Sequence, residues 1–379
     1  MVDDQDSRCW TSLLRAPDLC IDAVREAIRV FGSAADLCSA SDAARLRAGI
    51  PPAACAFLAG SGAAPRAVDL HWLESPAHQI IPYSHPAFPP LLLALADCPI
   101  ALYVAGNIAA LADPMIAIVG SRNPTPGGRE TASALAASLA ARGLGIVSGL
   151  AEGIDASAHG GALEAQGFTL AVLGTGIDVV YPACNRAMYG AIECHGALVS
   201  ELPLQAPPRR GHFPTRNRII AGMSLGTLVV EAASRSGSLI TARLSNRYGR
   251  EVFAVPGSIH SPLSRGCHEL IKAGAKLVET FDDILKELNF STFFAKDLGV
   301  PVSPGVGPPA RPGMDKDHKI LLDALGFESI DLDTLVVRTG FKADAVSSMM
   351  LILELEGHVQ AAHGGRYSRV AYRRAGGER

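Results

Sequence analysis

Apolar residues run unbroken through Met115-Ile-Ala-Ile-Val119, the pattern of a strand buried on both faces. The run ends at Gly120-Ser121-Arg122, ahead of an alanine-rich stretch with helical spacing, Glu130–Arg142. The theme then recurs. Gly145-Ile-Val147 meets Ser148-Gly149 before a helix from about Ile154 to Gln166. Thr169–Leu173, Ala197–Val199, Thr227–Val230 and Glu251–Val255 supply further strands, with helical segments between several of them. Strands alternating with helices from about Pro82 to Leu288 predict an α/β fold with an extended Rossmann-like, doubly wound, mostly parallel sheet.

The flanks read differently. Residues 1–70 predict a small helical (SAM-like) domain: Ile21–Phe31 has apolar residues at helical spacing before Gly32, and Ser41-Asp42 can cap a helix ending at Gly49. Gly60-Ser61-Gly62 marks its boundary. Residues 71–289 form the Rossmann unit, and 290–314, rich in Pro and Gly, read as a linker. Beyond it, His318–Leu325, Leu332–Arg338 and Ala343–Leu355 predict three helices, and His358–Ala362 and Tyr367–Tyr372 flank Gly364-Gly365 as a β-hairpin. That order is a winged-helix domain over 315–379.

The 379-residue chain is 48% hydrophobic and 19% charged, a globular composition of two or three domains. Its N-terminus shows neither the basic nor the apolar segment of a signal peptide, and Asp97, Pro99, Asn107, Asp113 and Pro114 break the apolar run Leu91–Val119. A cytoplasmic protein without a membrane span is expected. The eight cysteines form no C-x-x-C pair and no metal-ligand spacing, so reduced thiols and no metal are expected.

Charge changes the picture. Net charge is −3, yet Leu202–Cys267 holds nine arginines (209, 210, 216, 218, 235, 243, 247, 250 and 265) against Glu231 and Glu251. Guanidinium forks match phosphate oxygens, so the segment points to an extended anion. Phe213-Pro-Thr-Arg216-Asn217-Arg218-Ile-Ile-Ala-Gly222 is the most specific stretch, with two arginines around an asparagine ahead of an apolar helix start. Gly120-Ser121-Arg122 and Ser236-Gly237-Ser238 open helices beside it and offer backbone and hydroxyl donors, and Lys272 follows Gly266. Asp155 and His159, four apart, are expected to form a fixed polar contact at a helix start. Neither G-x-G-x-x-G nor G-x-x-x-x-G-K-[ST] occurs, which disfavours a nicotinamide cofactor and a P-loop ATPase. No acid, base or nucleophile stands out among the donor loops, which describes a binder without cofactor or catalytic residues rather than an enzyme.

Taken in order, Gly120-Ser-Arg122, Ser148-Gly-Leu-Ala-Glu-Gly-Ile-Asp155, Gly174–Pro182 with Asn185, Ser200-Glu-Leu-Pro203, Phe213–Gly222, Val230-Glu-Ala232, Ser236–Ala242 and Val252–Gly257 closely resemble the DNA processing protein A family (DprA, also called Smf). The resemblance runs from about Tyr83 through Phe281 and includes Leu102–Asn107. It implies an extended Rossmann domain that binds single-stranded DNA, a homodimer, and a mediator that protects incoming strands in natural transformation and loads the RecA recombinase. Carried over, Arg122, Arg216 and Arg218 become phosphate ligands, and Lys272 matches a basic position of a late motif. Two departures stand out: His268 where that motif has asparagine, and Glu152 where arginine is common.

Aromatics make up only 6% of the chain, with Phe213, Tyr248 and Phe253 near the arginines, so phosphate contacts should dominate with little base preference. Two other readings compete. Gly222–Glu231 is similar to the P-G-G-x-G-T-x-x-E loop of lysine-decarboxylase-like phosphoribohydrolases, but lacks the proline and carries its glutamate one residue later. A winged-helix regulator would read DNA with Ala343–Leu355, which has no basic residue beyond the preceding Lys342.

Overall fold

The apolar runs pair into one nine-stranded sheet. The computed structural model describes residues 4–60, 62, 64–288, 315–326, 330–362 and 365–370. Its strands are β1 (His78–Pro82), β2 (Ala101–Gly106), β3 (Met115–Val119), β4 (Gly145–Ser148), β5 (Thr169–Val172), β6 (Ala197–Ser200), β7 (Gly226–Val229), β8 (Glu251–Ala254) and β9 (Lys276–Leu277). They lie in the order β1-β2-β6-β5-β4-β3-β7-β8-β9. Every pair from β6 to β9 is parallel, while β1 and β2 add an antiparallel edge. Each residue of β3, β4, β5, β6 and β7 is buried, as a sheet covered on both faces requires.

The winding fixes where a site can form. From β3 the chain moves outward through β4, β5 and β6, then returns to the other side of β3 with β7, β8 and β9. At such a reversal the loops leaving the strand carboxyl ends diverge and open a crevice. Helix Pro126–Ala140 follows β3, Ile154–Glu164 follows β4, and His212–Met223 follows β6. The first begins four residues earlier than its alanine-rich stretch suggests, because Thr125 caps it by accepting from the Gly128 amide.

Periodicity alone gives no strand at β1, β2 or β9. β1 opens with two polar residues and closes with proline, which an edge strand tolerates. β2 lies inside the longer apolar run from Leu91. The first helices, among them Asp4–Leu13, Ile21–Phe31 and Pro52–Ala59, share one continuous core with the sheet. Trp10 meets Tyr83 edge-on at 6.2 Å, and Trp72 stacks on His78 at 4.5 Å while its edge faces Tyr103.

Lys316–Leu325, Leu332–Thr339 and Ala343–Leu355 form three helices beside a small sheet of β10 (Ile330–Asp331), β11 (Val359–Ala362) and β12 (Arg366–Arg369). Asp331 caps the second helix through the Thr334 amide at 2.8 Å, and Gly340 ends it with φ 73°. A separate core of Leu321, Leu325, Leu335, Val346, Met350 and Leu353 holds this winged-helix unit together. The 290–314 linker lies outside the described residues.

Candidate nucleic-acid interface

Loops leaving β3, β4 and β5 enclose a cavity of about 200 Å³ at the switch point. Arg122, Gly149, Glu152, Gly174, Tyr181, Phe213 and Arg216 are among its lining residues. The Arg122 guanidinium stands 5.6 Å from the Phe213 ring centre, and Phe213 lies 5.6 Å from Tyr181 with the rings tilted by 37°. Tyr181 is 42% exposed and Arg122 is exposed. A cation over one ring of an aromatic pair, open to solvent, can hold a phosphate beside a base that stacks on the exposed partner ring.

The cavity floor is built from buried charge. Arg216, only 6% exposed, donates from Nη1 to the carbonyls of Gly149 (2.7 Å) and Val172, and from Nε to Asn217 Oδ1 (3.2 Å). Gly149 is required here, because a Cβ would stand 2.5 Å from the Arg216 guanidinium. Burial lowers the Arg216 pKa to about 10, opposed by the charge of Asp155, so the side chain is cationic at neutral pH. Asp155 accepts from the Gly149 and Ala151 amides at 3.1 and 3.4 Å. Burial raises its pKa, and Arg216 and those amides oppose the shift. Arg216 therefore ties the ends of β4 and β5 together and lends its charge to the cavity from beneath.

The expected contact between Asp155 and His159 does not form. His159 Nδ1 bonds Thr169 Oγ1 at 2.7 Å instead, and Thr169 Oγ1 donates onward to the Ile146 carbonyl. Nδ1 must then carry the proton, which leaves Nε2 a buried acceptor without a partner. Burial, and then the Arg216 charge, holds the His159 pKa down to about 3.

The Arg-Asn-Arg segment splits. Both arginines lie inside helix His212–Met223, not ahead of its start. Residues two apart point to different faces of a helix. Arg218 turns away from the cavity to pair with Glu201 and to donate to the Asp97 carbonyl at 2.5 Å. Burial raises the Glu201 pKa while Arg218 opposes it. The uncompensated charge expected at Arg218 is thus neutralised by a carboxylate one residue outside the Arg-rich span. Asn217 braces the floor, receiving from Arg216 and reaching the Gly237 carbonyl at 3.5 Å.

Other expected donors are also engaged. Helix Pro126–Ala140 is separated from Gly120-Ser121-Arg122 by three residues, and Glu231 occupies its start, accepting from the Thr125 amide (2.9 Å) and hydroxyl (2.6 Å). A carboxylate therefore sits where an anion would bind, and burial raises its pKa against those hydrogen bonds. Gly120 lacks a side chain because a Cβ would meet Ile154 at 2.6 Å. Ser121 Oγ accepts from the Asn123 amide, and the Ser236 and Ser238 hydroxyls bond each other at 2.7 Å. Lys272 ends helix Arg265–Lys272. The start of that helix touches Ala232 past the carboxyl end of β7, so Lys272 lies about 10 Å down the helix axis, away from the cavity edge.

Topology supplies what those motifs do not. Arg209 and Arg210 precede helix His212–Met223, Arg235 lies between β7 and helix Ser238–Arg247, and Arg265 opens the helix after β8. All four are exposed, stand with Arg122 on loops of the same carboxyl edge, and form no ion pair among the described residues. Tyr181 escaped the residue-level reading because it is remote in sequence from the arginines, although it closes the Gly174–Pro182 motif.

A doubly wound sheet whose carboxyl edge carries a polar-aromatic cavity, with exposed arginines on the same edge that form no ion pair among the described residues, defines a Rossmann-type protein with a candidate anion or nucleotide site. Comparison makes the class specific. The family described as DNA recombination-mediator protein A matches residues 79–289, and the DprA winged helix domain matches residues 307–365. The chain belongs to the DNA processing protein A (DprA/Smf) family. It is 44% identical over 297 residues to Protein Smf of Escherichia coli K12, covering 78% of this chain and 79% of that relative. It is 46% identical over 199 residues to DNA processing protein DprA of Streptococcus pneumoniae R6, covering 52% and 70%. The solved Streptococcus pneumoniae DprA aligns with a TM-score of 0.62 at 36% identity, over 73% of this chain and 95% of that one. A Helicobacter pylori DNA processing protein A, described for its unique single-stranded DNA binding mode, aligns at 0.50 and 31%, over 54% and 94%. Among the described residues no helix is long and apolar enough to cross a membrane, and no three His, Cys, Asp or Glu are grouped to hold a metal.

Proposed function

We propose that this protein is a single-stranded DNA-binding recombination mediator, a binder rather than an enzyme, which holds the strand along the carboxyl edge of its parallel sheet. The observation that carries the reading is the cavity where Arg122 overlies Phe213 beside Tyr181, on the same carboxyl edge of the sheet as the segments that hold Arg209, Arg210, Arg235 and Arg265. A cavity of about 200 Å³ accepts one splayed base on an aromatic platform, which a single strand offers and an intact duplex does not. The arginines of that edge track the neighbouring phosphates. The Helicobacter relative, described as a single-strand binder, supports the same role.

The finer role is protection of incoming DNA in natural transformation and loading of RecA, by a cytoplasmic homodimer organised as a helical module over 1–70, a Rossmann module over 71–289 and a winged helix over 315–379. The hydrolase reading gains no support, because Glu231 is committed to the start of helix Pro126–Ala140. The regulator reading gains none either. Leu351, Ile352 and Leu355 are exposed on Ala343–Leu355, which carries no basic residue.

Binding of equal-length single- and double-stranded oligonucleotides across a salt series tests the proposal. The single strand should bind more tightly, with a log–log salt slope of about −0.7 per phosphate neutralised. Equal affinity for duplex, or affinity insensitive to salt, would sink it.

A further inference from the structure

The cavity has one wall that strand binding through phosphates does not use. Glu152 lines it together with Arg122 and Arg216, is exposed, and no Lys or Arg pairs with it among the described residues. Among the described residues its hydrogen-bond partner is the Cys184 thiol, which donates to Oε1 at 3.4 Å. Desolvation and then Glu152 raise the Cys184 pKa, so the thiol remains a donor. Asn185, next to Cys184, is fixed in turn by donating from Nδ2 to the Leu150 carbonyl at 3.0 Å. The carboxylate is thereby held on Oε1, and a carboxylate has further acceptor capacity to offer a ligand in the cavity it lines.

A phosphate is repelled by such a group, so the ligand atoms facing it must be hydrogen-bond donors. On a strand whose phosphates lie against Arg122 and whose base stacks on Phe213 and Tyr181, those atoms belong to the Watson–Crick edge of the base. Guanine presents adjacent N1–H and N2–H donors that match a carboxylate. Thymine presents a single N3–H between two carbonyl oxygens, which the carboxylate repels.

We infer that Glu152 is a specificity-determining residue that gives the cavity a preference for guanine over bases lacking adjacent donors. This inference rests on the strand-binding reading. It replaces the expectation of little base preference with selectivity at one nucleotide, while the remaining phosphate contacts stay sequence-blind.

The test compares three single strands of equal length, oligo-dT, alternating dT and dG, and alternating dT and deoxyinosine, in lithium buffer against wild type and Glu152→Gln. Inosine keeps the purine ring and N1–H but lacks the N2 amino group, so stacking is held constant. Wild type should favour the dG strand over the inosine strand by about tenfold, the range expected of one bidentate base contact. Glu152→Gln should collapse that ratio to about twofold or less, since its amide offers one acceptor and no charge. Equal wild-type affinity for the dG and inosine strands, or a ratio that survives Glu152→Gln, would overturn the inference and leave strand binding standing. Failure of all three strands to bind would instead overturn strand binding, and this inference with it.

Discussion

The floor and the rim of the cavity are each built around an arginine and a carboxylate and do opposite work. On the floor, Arg216 and Asp155 are buried and bonded to backbone, and His159, further down the helix that carries Asp155, is buried against Thr169 at the start of β5. On the rim, Arg122, Glu152 and Tyr181 are exposed and lightly held. A charged side chain that has lost water must be satisfied by the fold, so it is fixed and its removal is costly. One that keeps water can exchange that water for a ligand at little structural cost. The floor thus stabilises the edge and the rim recognises the strand, and substitutions should separate the two.

The largest expected effect lies on the floor. Arg216→Ala leaves the Gly149 and Val172 carbonyls without their buried donor and removes the charge that opposes the desolvation of Asp155, and should destabilise the protein by about 3 kcal/mol, read from urea unfolding. A drop in strand affinity without loss of stability would move Arg216 to the rim. Next comes acid. The unfolded chain protonates its histidines near pH 6.5, whereas folded His159 resists until about 3. Stability owed to neutral His159 is therefore present above 6.5 and lost as pH falls toward 3, by about 3 kcal/mol at pH 4. His159→Gln should flatten that part of the stability–pH curve. An unchanged curve would show that the imidazole is hydrated.

Rim effects are smaller and fall on binding. Arg122→Ala should cost about 2 kcal/mol of strand affinity, as loss of a charge-assisted contact does, and make the salt slope shallower by about 0.7. The unfolding midpoint should not move. Tyr181→Ala should cost about 1 kcal/mol through lost stacking, equally in low and moderate salt. A salt-dependent loss would mean that the ring orders a phosphate contact instead. Smallest of all, removal of residues 315–379 should leave single-strand affinity nearly intact, because that unit has its own core. A complete loss would place recognition on the winged helix.

The sequence made the sheet legible wherever strands are buried on both faces. β3 through β8 read as apolar runs between turn signals, whereas β1 and β9 are too short or polar and β2 merges into a longer run. The site was half legible. Motif order and arginine density marked the carboxyl edge, but chemistry at single positions depended on side-chain direction. Arg216 and Arg218 look equivalent as a motif, yet a helix turns them to different faces, one beneath the cavity and one onto Glu201. That signal was available once the helix start was placed at His212. The Glu231 contact with Thr125 and the pairing of Tyr181 with Phe213 join distant segments, and no local pattern encodes them.

Photocrosslinking with an oligo-dT strand carrying 5-iodo-2′-deoxyuridine, in which no guanine competes for the cavity, addresses the central claim most directly, since that base couples to aromatic rings it stacks against. Crosslinked peptides should contain Tyr181 or Phe213, with yield falling in Arg122→Ala. Crosslinks confined to residues 315–379, or to aromatics away from the sheet's carboxyl edge, would contradict the account.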